Sequence, residues 1–106
     1  MTLRDRRVQY ETAGLDLSDL DRDPIVQWHA WYDQAASAGV AEPNAMTVST
    51  LDKDMAPDSR VVLARGVDQR GFIFYTNYDS AKGLQLVEYP VASAVFAWLD
   101  LHRQVR

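Results

Sequence analysis

A change in residue pattern near position 43 constrains the fold of this chain more than any other feature. Before it, apolar residues recur at helical spacing and form one face: Ile25, Trp28, Tyr32 and Ala35. After it, β-branched and aromatic residues come in short runs, which are typical of strands. The segment between, residues 41–44, reads Ala-Glu-Pro-Asn and breaks the helical pattern. The sequence therefore predicts one long helix followed by a β-rich region.

Local signals set the bounds of the long helix. Asp23 can accept hydrogen bonds from the free N–H groups of a first helical turn, and Pro24 at the first helical position has no N–H to lose. Gly39 supplies a stop signal. The residues before Asp23 are mostly polar, so we interpret 1–22 as a loosely ordered N-terminal arm and 23–106 as one domain.

Four strands and the start of a fifth are predicted after the helix. Their approximate ranges are 45–51, 59–67, 71–77 and 91–99, with the fifth beginning at Arg103. The tight-turn sequence at 68–71, Asp-Gln-Arg-Gly, should join the second and third strands into an antiparallel hairpin. Ser80 can cap a short helix that Pro90 ends. These elements predict a mainly β fold with flanking helices (α+β), arranged as a small antiparallel barrel.

The last residues look like the opening of a strand, which would leave an unpaired sheet edge. We therefore expect the barrel to be incomplete, either because the chain is a fragment or because it is a truncated gene product.

Composition excludes several classes of function. The chain has no cysteine, which removes disulfides, thiolate nucleophiles and cysteine-ligated metal sites. His29 and His102 stand far apart and outside any metal-ligand spacing, so no metal site is predicted. A net charge of −4 without a long basic run argues against nucleic acid, and no apolar stretch approaches the roughly 20 residues of a membrane helix. We expect a cytoplasmic protein with neither kind of partner, in which redox chemistry requires a bound cofactor.

Three cations around a predicted hairpin and helix start form a candidate anion site. Arg60 opens a strand, Arg65 ends it, and Lys82 lies in the first turn of the short helix, where free N–H groups and the helix dipole favour phosphate. Arg60 and Arg65 are an odd number of residues apart, so on a regular strand they face opposite sides and would hold different phosphates. Both could serve one site only through a bulge or an edge position. The alternative is that all three are ordinary surface charges.

Four segments resemble pyridoxamine 5′-phosphate oxidases, a family of FMN-binding split barrels, in the family's own order and spacing. They are EPNAM at 42–46, SRVVL at 59–63, GFIFYTNYDSAKG at 71–83 and RQVR at 103–106. A single segment would be weak, but the ordered set is specific and spans nearly the whole chain. The resemblance implies FMN-dependent oxidation of pyridoxamine or pyridoxine 5′-phosphate to pyridoxal 5′-phosphate, with dioxygen as electron acceptor. It also implies a homodimer with FMN at the interface.

The resemblance assigns roles to individual residues. It implies that Arg60 contacts the FMN phosphate and that Gln104 reaches the isoalloxazine ring. The other residues that it places at the cofactor are Val61, Val62, Leu63, Ala64, Arg65, Tyr75, Thr76, Ala81 and Lys82. For Tyr75 and Thr76 the alternative is plain strand propensity. No residue is assigned as catalytic.

Substrate contacts are implied in two places. The family's Arg-x-x-Tyr element matches Arg7 and Tyr10, which would touch pyridoxal phosphate, and the alternative is a disordered arm. Arg65 stands where the family usually has a lysine at the substrate phosphate, so the charge is kept while the geometry changes. Ala81 stands where arginine is frequent, which removes one phosphate contact.

Length is the largest departure from the family. Its members continue well beyond residue 106 and place further substrate and flavin residues there, including an Arg-x-His element. Two alternatives to the full oxidase therefore stay open. One is a split-barrel flavoprotein that acts on another substrate, and the other is a non-catalytic half-domain that binds a flavin or a partner chain.

Overall fold

The computed structural model describes residues 2–5 and 14–106, so the predicted substrate contacts Arg7 and Tyr10 lie outside the described residues. Within these ranges there are two α-helices, α1 at Pro24–Ser37 and α2 at Ala81–Glu88. The strands are β1 at Ala45–Leu51, β2 at Pro57–Leu63, β3 at Gly66–Asp68, β4 at Gly71–Ile73, β5 at Ser93–Trp98 and β6 at Arg103–Val105. Short 3-10 turns lie at Leu3–Asp5, Leu17–Asp19 and Leu99–Leu101. No helix in the described part of the chain is long and apolar enough to cross a membrane.

Helix α1 begins and ends where the local signals predict. The Asp23 carboxylate accepts hydrogen bonds from the N–H groups of Ile25 at 2.9 Å and Val26 at 3.5 Å. Beyond the other end, Gly39 has a φ of +79°, a left-handed conformation that glycine adopts without steric cost. Asp23 also accepts a hydrogen bond from Gln69 at 2.7 Å, which ties the start of α1 to the β3–β4 turn.

The main sheet has the strand order β2-β1-β5-β6, and each neighbouring pair is antiparallel. Burial alternates along β1, so that Met46, Val48 and Thr50 lie on a buried side that we call the inner face. The residues between them lie on the opposite side, the outer face. Because β2 and β6 are edge strands of this sheet, the barrel is not closed.

The predicted strand 59–67 is in fact two strands. Ala64 N–H donates to Asn44 O at 2.8 Å and continues the pairing with the β1 side, whereas Arg65 N–H donates to Ile73 O at 2.7 Å. The chain therefore leaves the main sheet between Ala64 and Arg65 and enters the separate β3–β4 hairpin. The prediction of one continuous strand was wrong, because a change of hydrogen-bonding partner leaves the residue pattern unaltered. The antiparallel turn itself is confirmed, with Asp68 paired to Gly71.

The third strand also ends earlier than predicted, at Ile73 rather than near Asn77. Asn77 forms a local turn instead, since its carbonyl accepts from the Ser80 N–H at 3.0 Å and its side chain accepts from the Asp79 N–H at 2.9 Å. Such local bonds compete with strand pairing.

An aromatic cluster between α1 and the inner face forms the centre of the core. The ring of Trp28 stacks on Tyr32 with centroids 5.1 Å apart and lies 5.2 Å from Phe96 and 6.2 Å from Trp98. The buried apolar residues are Trp28, Ala35, Met46, Val48, Ala64, Phe96 and Trp98. Both α1 and α2 contact inner-face side chains, and the predicted α+β class is confirmed.

Candidate functional site

The start of α2 brings together groups that can bind an anion. Ser80 caps the helix, because its Oγ accepts a hydrogen bond from the Gly83 N–H at 3.2 Å. Ala81 and Lys82 occupy the first two helical positions, where backbone N–H groups have no partner within a helix. Lys82 is half-buried, and within 2–5 and 14–106 its ammonium has no hydrogen-bonding or ion-pairing partner. Free N–H donors and a free cation at the positive end of a helix are the groups that phosphate requires.

The loop before α2 packs closely against this helix start. Ser80 Oγ donates to Asn77 O at 2.7 Å and lies 3.2 Å from Thr76 Oγ1. A Cβ added at Gly83 would lie 2.5 Å from Asn77 O and 2.8 Å from Tyr78 O. Only glycine allows this approach of the two backbones. The structure thus places Thr76 beside the helix start, whereas the neighbouring Tyr75 is 78% exposed.

Arg60 lies on the inner face of β2, opposite Val48. Its Nη1 donates to Val48 O at 3.1 Å and to Thr50 Oγ1 at 2.7 Å. Its Nη2 donates to Gln85 Oε1 at 3.3 Å and lies 3.2 Å from Asp58 Oδ2. Both terminal nitrogens are therefore used within the chain, and Nε is the guanidinium donor without a partner among the described residues. The side chain keeps 21% of its surface exposed.

Gln85 connects these contacts to α2. Its Oε1 accepts a hydrogen bond from the Thr50 hydroxyl, and its Nε2 donates to Asp58 Oδ2 at 2.9 Å. Side chains from β1, β2 and α2 thus form a closed set of polar contacts, which we call the Arg60 network: Thr50, Asp58, Arg60 and Gln85. The motifs in the sequence did not identify Thr50, Asp58 or Gln85. The available signal was Thr50, a polar residue at a buried position of an alternating strand.

The segment 60–65 alternates between the two faces of the sheet. Val62 and Ala64 pack with the core, whereas Val61 and Leu63 lie on the outer face. Val61 is 68% exposed. The six residues therefore do not present their side chains to a single surface, and contacts from all of them to one ligand would require backbone atoms.

Within a single chain, Gln104 lies apart from Arg60. It pairs with Ala97 on the outer face of β6, and both are exposed. Because β2 and β6 are the two edges of a four-stranded sheet, Arg60 and Gln104 are three strand spacings apart, at least about 14 Å. They also lie on opposite faces.

Arg65 lines a cavity to which Arg60 does not contribute. A cavity of about 340 Å³ is lined by three residues of α1, by Asn44 and by residues 64–67; the α1 residues are Trp28, His29 and Tyr32. Arg65 is exposed, and its guanidinium has no partner in the part of the chain that the structure describes. Trp28 Nε1 is buried and likewise has no hydrogen-bond partner there. The cavity therefore has the free guanidinium of Arg65 beside an aromatic wall.

The family model described as pyridoxamine 5′-phosphate oxidase matches residues 32–106. A pyridoxine/pyridoxamine 5′-phosphate oxidase of Burkholderia thailandensis is 48% identical over 105 residues, which are 99% of this chain and 49% of that protein. The corresponding protein of Aliarcobacter butzleri is 47% identical over 106 residues, 100% of this chain and 50% of its own length. The chain spans about half the length of the curated relatives it matches.

Two solved structures share the fold. PhzG from Burkholderia lata, in complex with tetrahydrophenazine-1-carboxylic acid, superposes with a TM-score of 0.80 at 32% identity, covering 89% of this chain and 46% of that one. A pyridoxamine 5′-phosphate oxidase-related, FMN binding protein from Nostoc punctiforme gives a TM-score of 0.55 at 20% identity, covering 65% and 38%. The predicted split-barrel fold is confirmed, with the barrel open in this chain. Because the family model matches most residues of this chain, the chain belongs to the pyridoxamine 5′-phosphate oxidase family.

Proposed function

We propose that this chain provides the cofactor-phosphate side of an FMN-dependent oxidase that converts pyridoxamine or pyridoxine 5′-phosphate to pyridoxal 5′-phosphate, with dioxygen as electron acceptor. The observation that carries the proposal is the free Lys82 ammonium at the capped start of α2, beside Thr76. The relatives named for this activity are about twice as long. The proposal therefore concerns the whole oxidase, to which this chain contributes one part.

The donor set at the helix start fits the phosphate of FMN. Lys82 supplies charge, the N–H groups of Ala81 and Lys82 supply directed donors, and the Thr76 hydroxyl lies next to them. Arg60 adds its remaining Nε–H, while Asp58 offsets part of its charge. When bound, FMN supplies the redox chemistry, accepting electrons from the substrate and passing them to dioxygen. The residues of the chain bind and orient it.

We further propose that 60–65 and Tyr75 line the flavin and that a second copy of the chain completes the site. Gln104 lies on the opposite face from Arg60, so its amide would satisfy the polar edge of a flavin held mainly by the partner. Open sheet edges and exposed apolar residues such as Val61 and Leu99 support association. The proposed assembly is a homodimer with FMN between its subunits.

The cavity beside Arg65 is the proposed place for the substrate phosphate. Its free guanidinium and apolar aromatic wall suit a phosphorylated pyridine ring. Arg7 and Tyr10 remain proposed substrate contacts from the arm.

A second candidate function is a flavoprotein of the same fold that acts on another substrate. The likeness to PhzG favours it, because that protein binds a tricyclic carboxylic acid. A third is a non-catalytic half-domain. Turnover assays with pyridoxine 5′-phosphate and with tetrahydrophenazine-1-carboxylic acid separate the first two, with hydrogen peroxide as the product measured. A chain that yields no peroxide with either substrate, whether or not it binds FMN, is the third.

The Lys82 assignment is tested by FMN titration, followed through the fluorescence of the flavin. Lys82→Ala removes a charged donor, so we expect the dissociation constant for FMN to rise about 10-fold or more. Arg60→Ala should also weaken binding, because it removes the Nε–H and releases the Arg60 network. The matched control is Arg70→Ala, since Arg70 is an exposed cation in the β3–β4 turn, paired with Asp68 at 2.7 Å. Equal effects of Lys82→Ala and Arg70→Ala would refute the assignment.

A further inference from the structure

We propose that Thr50 and Gln85 are positioning residues for the cofactor phosphate, which hold Arg60 and helix α2 in a fixed relation so that donors from both converge on one phosphate. This inference rests on the proposed function. Neither residue needs to touch the ligand. Both act through the Arg60 network.

Thr50 fixes the direction of two other side chains. It is 2% exposed, so its hydroxyl exchanges few hydrogen bonds with water. That hydroxyl accepts from Arg60 Nη1 at 2.7 Å and donates to Gln85 Oε1. Because a hydroxyl has one proton, Thr50 can donate only to Gln85, and the lone pairs of its oxygen accept from Arg60. One buried oxygen thus orients the guanidinium and the amide together.

Helix α2 depends on Gln85 for its position. Gly83 is its only buried residue, and two of its larger apolar side chains, Leu84 and Val87, are mainly exposed. Among the described residues, every hydrogen bond between α2 and a strand involves Gln85. With so little apolar packing against the sheet, these hydrogen bonds are what tie the helix to β1 and β2. Loss of the Gln85 contacts would therefore let Lys82 move relative to Arg60.

The pairing of Arg60 with Asp58 explains why the position of Lys82 relative to Arg60 matters for phosphate binding. Arg60 lies 3.2 Å from Asp58, so this pair contributes little net charge. Lys82, three residues before Gln85 in α2, is a cation without a partner among the described residues. A phosphate held between Lys82 and the remaining Arg60 Nε–H depends on the distance between the two elements, and that distance is set by Gln85 and Thr50.

The test compares FMN with riboflavin, which has the same ring and ribityl chain but no phosphate. Thr50→Val keeps the shape of the side chain and removes the hydroxyl. We expect it to weaken FMN binding about 5-fold, as for the loss of one hydrogen bond to the phosphate, and to leave riboflavin binding unchanged. Thr50→Ser restores the hydroxyl and should bring FMN affinity back to within about 2-fold of the unmodified chain. The specific signature is a fall in the preference for FMN over riboflavin.

The matched control is Ser49→Ala. It removes a hydroxyl contact between β1 and β2, that of Ser49 with Ser59 at 2.6 Å, but on the outer face. This variant should not change the FMN preference. Gln85→Met is a second test variant, which removes the amide from a half-buried helix position. It should reduce the preference for FMN over riboflavin in the same way, so the test remains possible even if Thr50→Val does not fold.

The possible failures are distinguishable. If the unmodified chain binds FMN no more tightly than riboflavin, the proposed phosphate site is wrong, and the positioning role is wrong with it. If the unmodified chain prefers FMN and the folded Thr50 or Gln85 variants keep the same preference, the positioning role alone is refuted. Equal weakening of both ligands would also refute it, since that result indicates a general structural role.

Discussion

Replacing Gly83 by alanine tests whether the helix start depends on close backbone contact. The added Cβ would lie 2.5 Å from Asn77 O and 2.8 Å from Tyr78 O, and these are backbone atoms, which cannot rotate away as a side chain would. The loop or the helix must shift by at least about 0.5 Å. Alanine gains up to about 1 kcal/mol over glycine in a helix interior. Overpacking costs about 1–3 kcal/mol, so we expect a net loss of about 1 kcal/mol in the free energy of unfolding.

Two measurements check this expectation. Urea unfolding should show the lower stability, and thermal unfolding should show a Tm lower by about 4 °C, which is the shift that 1 kcal/mol produces in a domain of this size. FMN binding should weaken as well, because the shift displaces Thr76 and the Ser80 cap. Gly14→Ala is the matched control, since among the described residues no atom beyond its chain neighbours lies within 4 Å of its added Cβ. A Gly83→Ala chain with unchanged stability and FMN affinity would refute the reasoning.

Two further predictions concern carboxylates outside the site. Asp23→Ala removes the cap of α1 and the contact to Gln69, so urea unfolding should show lower stability, whereas Asp54→Ala in the exposed β1–β2 turn should change it less. The pKa of Asp23 is lowered by its hydrogen bonds from Ile25 and Gln69, and that of Asp68 by its hydrogen bond from Arg70. A lowered pKa in the folded state stabilises the protein above the ordinary carboxyl pKa of 3.8 and ceases to do so as the pH falls through the lowered value. The contribution of Asp23 should therefore vanish in strong acid. If the stability of the Asp23→Ala chain falls below pH 3.8 as steeply as that of the unmodified chain, this reasoning is contradicted.

Features governed by neighbouring residues were predictable from the sequence. Helix α1 follows from the Asp23 cap and Gly39, and β1 lies at the approximate range that its strand-forming residues predicted. The start of α2 follows from Ser80 in the same way. In each case the determining contacts span only a few positions of the chain, so the local pattern contains the information.

Features governed by partners distant in sequence were not predictable. The break between β2 and β3 results from Ala64 and Arg65 bonding to different strands, and only the fold decides which strands are near. Gln85 meets Thr50 across 35 positions. The opposite faces of Arg60 and Gln104 likewise depend on the register of three strand pairs. A pattern of residue types does not contain these registers.

Arg60 shows why a residue that matches a family motif still needs its role worked out from structure. A guanidinium has five N–H donors, and in this chain the four on its terminal nitrogens face Val48, Thr50, Gln85 and Asp58. One donor is left for a ligand, and the neighbouring carboxylate reduces the attraction of its charge for an anion. Lys82 has all three of its donors free among the described residues. We therefore infer that Lys82 is the principal phosphate contact, and that Arg60 contributes mainly by holding β2 and α2 together.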